Sequence, residues 1–569
     1  MPEEARARSK IISDALGIPS LVADLMVQRG IENTSDAEAF LRADLMDLED
    51  PNLLKDMEKA VERIIRGMEE NEKIVVYGDY DVDGITSICV LVGVLASLGA
   101  NVDYYIPDRV DEGYGMNSEA VRSIAKDGAS LLITVDCGIT AFLEVQLAES
   151  LGMDVIVTDH HEPHGELPSA VAVINPKRHD ESYPFRDLAG VGVAYKLAQA
   201  LLMTVKGTPE ALTPADRLLD LVALGTIADV SPLVGENRVF AKQGLAKINR
   251  TENLGLRSLI QVCGLRDRMI TAGTVGFVLA PRLNAAGRIG DASLCVELLL
   301  TDSPERAMAI AKFLDNVNSE RQEMEMKIFE EASSMVKTCG GQPIDSVLVL
   351  ANERWHPGVI GIVASRLVEE FNRPTILISL DGDEGRGSGR SIPEFDLYKA
   401  LSLCSDALLG FGGHKYAAGI AVSRHAIDGF REEINEVGRS VLSEDDFLPK
   451  VFCHQELALD EIDLDVAKGI AMLAPFGVAN PTPMFLSTGV VLKEYRGVGA
   501  GGRHLKLRLS QSGREHDGIG FDLGHLTSQM YSHRVTAIDI IYTIEVNEWN
   551  GIIRPQLNVK GLRVAENHD

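Results

Sequence analysis

Short apolar segments alternate with longer amphipathic segments between residues 73 and 174. The apolar segments KIVVYG, SLLITVD and DVIVTD have the length of strands and are rich in β-branched residues. The segments between them, such as TSICVLVGVLASLG and FLEVQLAESLG, have the length and periodicity of helices. Strands and helices that alternate in this way form βαβ units, so we expect an α/β domain with a mostly parallel sheet.

The rest of the chain divides into regions of different pattern. Residues 303–338 form one long, charged, glycine-free segment, which we interpret as a connecting helix. A second α/β unit follows it, and after residue 451 short strands with glycine-rich turns predict a small barrel of the OB type. The expected fold class is therefore α/β, with a parallel-sheet domain, a long helix, a second α/β domain and a C-terminal OB-like β-barrel. The expected boundaries are 1–70 for an N-terminal helical extension, 71–302, 303–338, 339–450 and 451–569.

The overall charge argues against a protein that simply coats nucleic acid. The formal net charge is −29 and the isoelectric point is about 4.9, whereas binding to a polyanion relies on clustered Lys and Arg. The seven cysteines are scattered without a C-x-x-C pair, which favours reduced thiols over disulfides or a zinc site. The sequence shows neither a secretory signal nor an apolar run of the roughly 20 residues that span a membrane. We expect a cytoplasmic protein without membrane contact.

Aspartate and histidine residues stand at the ends of four apolar segments. The carboxyl ends of parallel strands share one crevice, where ligands bind in open α/β sheets. We therefore expect these side chains to meet at one edge of the first sheet. The residues are Asp79, Asp81, Asp83, Asp136, Asp159, His160, His161 and Asp229.

Each of these residues has a purely structural alternative when it is considered alone. Asp136 could cap a helix, and His160 and His161 could form a surface pair. The run DYDVDG could form a turn, although it lacks the further acidic positions of an EF-hand. Four coincidences at one sheet edge are difficult to explain by capping, so we favour a metal site. Carboxylates combined with imidazoles suit Mn²⁺ or Mg²⁺ better than structural zinc, and two such ions suit phosphoester hydrolysis.

At these residues the chain resembles the DHH phosphoesterase superfamily, which is named for the motif present here as Asp159, His160 and His161. The resemblance is carried by VVYGDYDVDGITS, ITVDCGIT, VTDHHEP and LGTIADV and, in the second half, by WHPGVIGIVASRLVEEFNRP, GSGRSI, GFGGHKYAAG and LAPFGVANPTP. It covers nearly the whole chain and points to the bacterial single-strand-specific 5′→3′ exonucleases of the superfamily. It implies DHH, DHHA1 and OB-type domains, one or two Mn²⁺ or Mg²⁺ ions, and a role in DNA repair and recombination.

The resemblance also implies roles for individual residues. Smaller relatives, including inorganic pyrophosphatases, carry a histidine ligand at the position of Tyr77, and the exonucleases share the departure seen here. A tyrosine cannot serve as an imidazole ligand, so this position argues against a pyrophosphatase. The implied metal ligands are Asp79, Asp81, Asp83, Asp136, His160 and Asp229. The implied catalytic residues are Asp83, Asp136, His160 and His161.

A second set of residues is implied to bind the substrate. An exonuclease that works from a 5′ end needs a pocket for the terminal phosphate, and arginine binds phosphate in a bidentate manner. The alternative for any lone arginine is a solubilising surface residue. Arg390 departs most from that alternative, because GRGSGRS predicts a glycine-rich loop in which backbone can approach a phosphate. The implied residues are Arg109, Tyr114, Arg288, Ser388, Arg390 and His414.

The predicted barrel is nearly neutral, unlike the acidic chain as a whole. From Phe485 to Asp569 there are ten Lys and Arg against nine Asp and Glu, whereas the first seventy residues carry nine against sixteen. Basic residues cluster on or beside two adjacent strands, and aromatic residues could stack on bases. An equally good alternative is that HLKLRL only keeps its polar face in water. The residues are Lys493, Arg496, Arg503, Lys506, Arg508, Tyr495 and Trp549.

Three functions remain open at this stage. The first is an exonuclease on single-stranded DNA, whose strand would thread between the two α/β lobes and whose partners would include a single-strand-binding protein and a helicase. The second is a small-substrate DHH phosphodiesterase for short RNA or cyclic dinucleotides, which would need neither the barrel nor the N-terminal extension. The third is a non-catalytic scaffold on a decayed DHH core, although here every expected Asp and His is present.

Overall fold

The computed structural model contains N-terminal helices, two α/β units and a C-terminal barrel. It describes residues 1–108, 112–113, 115–163, 165–207, 216–337, 344–532, 535–549 and 551–565, without the side chain of residue 549. Within these ranges, no helix combines the length and apolar character needed to cross a bilayer. The expected α/β class, connecting helix and terminal barrel are confirmed.

The first sheet is entirely parallel. Its strands are β1 (Lys73–Gly78), β2 (Val102–Tyr105), β3 (Ala129–Val135), β4 (Asp154–Thr158) and β5 (Ala172–Ile174), and their order is β2-β1-β3-β4-β5. Strands β1, β3 and β4 are buried almost completely, because helices cover both faces of the sheet. Since β3 lies between β1 and β4, the residues that follow these three strands emerge side by side.

Helices surround this sheet and continue beyond it. The N-terminal helices are α1 (Glu3–Leu16), α2 (Ser20–Gln28), α3 (Thr34–Arg42) and α4 (Met57–Glu69). Those of the first unit are α5 (Val82–Ser97), α6 (Ser118–Lys126), α7 (Phe142–Ser150), α8 (Gly190–Lys206), α9 (Leu219–Ala228), α10 (Gly235–Ile248), α11 (Leu254–Val262), α12 (Ala272–Thr274), α13 (Ala280–Ile289) and α14 (Ser293–Leu300). A π-helical turn, Val275–Leu279, joins α12 to α13.

One long helix, α15 (Pro304–Lys337), leads to the second unit. Its strands are β6 (Leu348–Asn352), β7 (Thr375–Asp381), β8 (Glu384–Arg390), β9 (Gly410–Gly413) and β10 (Ala417–Ser423), in the order β6-β7-β8-β10-β9. Its helices are α16 (Pro357–Phe371), α17 (Leu397–Leu403) and α18 (Ile427–Val441). The GRGSGRS segment, expected to be a loop, is therefore mostly strand β8, since it pairs with both β7 and β10.

The C-terminal unit closes into a five-stranded barrel, because its first long strand also pairs with β15. The elements are β11 (Gln455–Glu456), α19 (Leu464–Met472), β12 (Phe485–Val498), β13 (His504–Gln511), β14 (Arg514–Gly520), α20 (Leu526–Ser532), β15 (Ala537–Trp549) and β16 (Ile552–Val564). Strands β12, β15 and β16 have 13 or 14 residues and are longer than the short strands expected.

The first three helices share a hydrophobic core with this barrel. Leu25 and Met26 of α2 belong to the same buried cluster as Phe485 and Tyr542 of the barrel. By contrast, α4 is amphipathic and buries Ile64 in the core of the first α/β unit. The N-terminal region therefore connects the barrel to the first unit.

Candidate active site

The ends of β1, β3 and β4 bring acidic and histidine side chains together, as expected. Three groups of side chains have ligand atoms within 4.8 Å of one another. His160 belongs to two of these groups and Asp136 to two, so the groups form one continuous cluster. The groups are Asp79, Asp81 and Asp136; Asp83, His160 and Asp229; and Asp136, His160 and His161.

Asp81 and Asp83 are held by backbone amides at the beginnings of two helices. The Asp81 carboxylate caps α5 and accepts hydrogen bonds from the amides of Asp83 at 2.9 Å and Gly84 at 3.1 Å. The Asp83 carboxylate accepts from the amides of Gly190 at 2.7 Å and Val191 at 2.8 Å, the first two residues of α8. Helix N-termini favour negative charge, so the fold orients both carboxylates and leaves their remaining lone pairs for a cation.

Asp136 and His160 meet in a way that calls for a positive charge between them. The Nδ1 atom of His160 lies 3.1 Å from the carbonyl oxygen of Leu188, which can only accept, so Nδ1 donates its N–H there and Nε2 is the ring nitrogen that faces the cluster. That Nε2 atom lies 3.0 Å from Oδ1 of Asp136. Both atoms are buried, and neither has a hydrogen-bond partner in the described part of the chain. A buried carboxylate oxygen and an imidazole nitrogen that face each other at 3.0 Å are ligand types that a divalent cation takes.

The backbone conformation at Asp136 is unusual and is not explained by a helix cap. Its φ is +58°, in the left-handed region, which costs free energy that functional sites commonly store. Helix α7 begins only at Phe142, so Asp136 does not cap it. A Cβ atom at Gly190 would lie 2.7 Å from Oδ1 of Asp136, so glycine is required for α8 to approach this carboxylate.

Asp159 is committed to hydrogen bonds and holds the two histidines. Its Oδ1 accepts from the amides of His160 and His161 and lies 2.7 Å from Nδ1 of His161, while Oδ2 accepts from the amide of Ile139. Burial acts to raise the pKa of Asp159, but the hydrogen bond and charge of His161 lower that pKa to about 2. The first residue of the motif thus orients the second and third.

Asp229 enters the cluster from the end of α9 rather than from a strand. Asp229 caps the C-terminus of this helix, directly after Ala228, and its Oδ2 accepts a hydrogen bond from the Ser231 hydroxyl at 2.6 Å. Its carboxylate completes the group with Asp83 and His160.

Without a cation, burial and mutual repulsion disfavour the ionised forms of the carboxylates. Burial, together with Asp136 and Asp229, raises the pKa of Asp83 well above its usual value. Burial and the neighbouring carboxylates likewise raise the pKa of Asp136, and burial and Asp229 raise that of Asp81. Several buried acids that disfavour their own ionised forms are the arrangement that a bound divalent ion stabilises.

A cavity of about 340 Å³ opens over this cluster. It is lined by Asp79, Asp81 and Asp229 and by Asn284 and Arg288 of α13. Arg288 also lines an adjacent cavity of about 320 Å³ together with His356, at the start of α16. The Arg288 guanidinium donates to the carbonyl oxygen of Gly358 at 3.1 Å. The cluster of Asp and His side chains therefore continues into a cleft between the two α/β units.

Ser388 and Arg390, on β8 of the second unit, lie beside helix α16. Arg390 donates to the Ser388 hydroxyl at 3.2 Å and to the carbonyl oxygen of Gly389 at 2.8 Å. A Cβ atom at Gly361 of α16 would lie 2.8 Å from the Ser388 hydroxyl and 3.2 Å from the Arg390 guanidinium. Arg288, Ser388 and Arg390 thus converge on the first turns of α16, where helix amides favour anions.

His414 lines a further cavity beside the cluster. It lines a cavity of about 320 Å³ with Gly413 from the second unit and with Asp159 and His161 from the first. The expected substrate residues Arg109 and Tyr114 lie outside the described residues. Tyr77, at the position of the histidine in smaller relatives, is buried and donates its hydroxyl to the carbonyl oxygen of Gly115 at 2.9 Å.

The barrel residues form a mixed surface rather than a purely basic one. Arg496 faces Lys506 across β12 and β13, but Arg508 pairs with Glu515 at 2.8 Å and Arg503 pairs with Asp522. Exposed pairs of this kind contribute only about 0–1 kcal/mol, so a phosphate can replace the acid. Lys493, Arg496, Lys506 and Arg508 are exposed, Tyr495 is half-buried against the barrel core, and the side chain of Trp549 lies outside the described part.

Two residues of the cleft were not singled out as site residues from the sequence. Asn284 lines the cavity that contains Asp229, and its Oδ1 accepts a hydrogen bond from the amide of Val82 at 3.2 Å. His356 caps α16. His356 lies in a segment that carries the family resemblance, but a lone Asn or His in or beside a helical pattern has no spacing that separates a site residue from a cap.

Comparison with known proteins finds the same three-part organisation. The profile of the DHH family N-terminal domain matches residues 73–226, that of the DHHA1 domain matches 345–439, and that of the RecJ OB domain matches 453–561. The chain is 42% identical to the single-stranded-DNA-specific exonuclease RecJ of Bacillus subtilis, over 99% of this chain and 70% of that protein. It is 34% identical to RecJ of Escherichia coli, over 97% and 98%.

A solved structure of a relative agrees with these matches. RecJ of Thermus thermophilus in complex with Mn²⁺ superimposes with a TM-score of 0.83 at 32% identity, over 98% of this chain and 78% of that one. The Thermus protein has also been crystallised with Mg²⁺.

Proposed function

Because this chain belongs to the RecJ family of single-stranded-DNA-specific exonucleases, we propose that it degrades single-stranded DNA from the 5′ end and releases 5′-mononucleotides. It is a metal-dependent phosphodiester hydrolase of the DHH family, with Mn²⁺ or Mg²⁺ as cofactor. The observation that carries the proposal is the pair of buried, hydrogen-bond-deficient atoms of Asp136 and His160 inside a cluster of carboxylates.

We assign the cofactor to this cluster. Asp81, Asp83, Asp136, His160 and Asp229 would hold one or two ions, with Asp79 and His161 beside them. When bound, divalent ions supply an activated water and neutralise the charge that develops on the reacting phosphate. The protein contributes orientation: backbone amides hold Asp81 and Asp83, and the carbonyl of Leu188 keeps the proton of His160 on Nδ1.

The terminal phosphate is the group that the cleft between the units would receive. Arg288, Ser388 and Arg390 present guanidinium and hydroxyl donors beside the first turns of α16. Charge-assisted, bidentate contacts of arginine with phosphate fix both position and orientation. A 5′ phosphate held there would place the next phosphodiester toward the Asp229 cavity, because Arg288 lines both cavities. The barrel and His414 would contact the remaining strand.

Finer aspects of the function belong to the same proposal. The passage between the lobes would admit one strand and exclude duplex, and the physiological process would be DNA repair and recombination in the cytoplasm. A single-strand-binding protein and a helicase are the proposed partners, since both deliver unpaired strands. The small-substrate alternative is disfavoured by the RecJ OB domain, and the scaffold alternative by the complete metal cluster.

The test is degradation of a 3′-labelled single strand that carries a 5′ phosphate, in Mn²⁺. We expect shortening from the 5′ end, with a blunt duplex and a dinucleotide degraded much more slowly. Arg390→Ala should lower kcat/KM on the 5′-phosphorylated strand by about 10- to 150-fold, the value of a hydrogen bond to a charged group. Arg390→Ala should have a smaller effect on a strand that ends in a 5′ hydroxyl. On the 5′-phosphorylated strand, the kcat/KM of Arg390→Lys should lie between those of the wild-type protein and Arg390→Ala. Equal losses on both strands, or degradation from the 3′ end, would contradict the assignment.

A further inference from the structure

Phe277 is the most exposed aromatic side chain among the described residues, with 86% of its surface accessible. It lies in the π-helical turn that joins α12 to α13. Single π-helical turns inside helices occur frequently at functional sites. Within the described part of the chain, the ring makes no contact with another aromatic ring or with a cation. Phe277 therefore presents an open apolar face to solvent.

The helix that carries Phe277 presents an accessible stripe of side chains toward the cleft. Within α13, Pro281, Asn284 and Arg288 are spaced by three and seven residues and lie on one face, and Phe277 lies about one π-helical turn before Pro281. Two members of the stripe line the cavity that contains Asp229, whereas the opposite face is buried in the core of the first unit. The members are Phe277, Pro281, Asn284 and Arg288.

Exposed positive charge precedes Phe277 in the sequence. The loop that leads into α12 exposes Arg266 and Arg268, and neither forms an ion pair with a described residue. Met269, in the same loop, is 75% exposed. Exposed aromatic and arginine side chains are the residue types with which proteins bind single strands without sequence preference.

We propose that Phe277 is a stacking platform for a base of the single strand on the 3′ side of the bond that is cleaved. The proposal rests on the function proposed above. With the 5′ phosphate beside Arg288, the strand passes Asn284 over the metal cluster and continues along the stripe. At 1.5 Å per residue, Phe277 lies about 10 Å further along the helix axis than Asn284. Stacking there holds the strand in line for successive cleavages and is independent of base identity.

The test is a walk of a single abasic site along a single-stranded oligonucleotide, one nucleotide at a time from the 5′ end. Affinities are measured in EDTA, so that the strand is not degraded. The wild-type protein should lose affinity by about 5- to 150-fold at one position, the range for removal of one base-stacking contact. Phe277→Ala should bind the intact strand more weakly by a similar factor and should show no further loss at that position.

Two variants separate stacking from a structural effect. Phe277→Trp keeps an aromatic face and should restore the position-dependent loss. Phe313→Ala removes an exposed aromatic side chain of α15 that lies outside the stripe and outside the barrel, and it should leave the profile unchanged. A flat profile for the wild-type protein, or the same peak in Phe277→Ala, would overturn the proposal. Failure of the wild-type protein to cleave in Mn²⁺ would instead contradict the proposed function, because the affinity profile does not require cleavage.

Discussion

Asp136→Asn should lower the exonuclease rate by at least about 10²- to 10³-fold, the usual cost of removing one group that stabilises charge in a transition state. The substitution keeps the shape of the side chain, and asparagine tolerates the left-handed φ of +58° at this position. It removes the negative charge that faces Nε2 of His160 at 3.0 Å. The loss should therefore appear in kcat, with little change in the affinity for DNA in EDTA.

Thermal unfolding distinguishes a lost ligand from a damaged fold. Burial and neighbouring carboxylates raise the pKa of Asp136, so the metal-free wild-type protein pays for holding these acids together. In EDTA at pH 8 the Tm of Asp136→Asn should equal or exceed that of the wild-type protein, and added Mn²⁺ should raise it less. Asp103→Asn, a change at an exposed aspartate of β2 that pairs with Lys73, serves as the matched control. Full activity of Asp136→Asn would remove this residue from the metal site.

Arg238→Met should cost about 2–5 kcal/mol of unfolding free energy, because buried acceptors would lose their donor. Arg238 of α10 is 1% exposed and donates to the carbonyl oxygens of Phe40, Leu473 and Ala474. Burial lowers its pKa to about 10, so it remains charged at neutral pH, and its guanidinium stacks 3.7 Å from the Phe40 ring centroid. One side chain thus connects the first α/β unit to α3 and to the segment that leads into the barrel.

Chemical denaturation monitored by near-ultraviolet circular dichroism measures this effect. Arg42→Met, which removes an exposed arginine paired with Asp47, should change the unfolding free energy by less than about 1 kcal/mol. If Arg238→Met were as stable as Arg42→Met, the junction between the N-terminal helices, the first unit and the barrel would not depend on this guanidinium.

The sequence alone was sufficient to predict that the candidate site residues that directly follow strands lie close together. Asp79, Asp136 and the Asp159-His160-His161 run come directly after β1, β3 and β4, and parallel pairing necessarily gathers their side chains. The connecting helix and the barrel were also predictable, because their periodicity is strong over many residues.

Other features depend on tertiary packing that no local pattern encodes. Asp229 joins the cluster from the end of a buried helix, and Asn284 reaches the same cavity from another helix. The packing of α1–α3 on the barrel unites residues more than 400 positions apart in one core. The glycines of β8 suggested a loop, whereas Gly387 makes room for Ile378 and Ile420 of the neighbouring strands, and Gly361 of α16 lets that helix approach Ser388.

The most direct test of the account is an anomalous difference map from crystals soaked in Mn²⁺, recorded near the manganese absorption edge. We expect one or two peaks within coordination distance of Asp81, Asp83, Asp136, His160 and Asp229, with Asp159 bonded to His161 and not to the ion. The same soak of Asp136→Asn should weaken or abolish a peak. A map without manganese at this cluster, or with manganese bound elsewhere in crystals that retain nuclease activity on dissolution, would contradict the assignment.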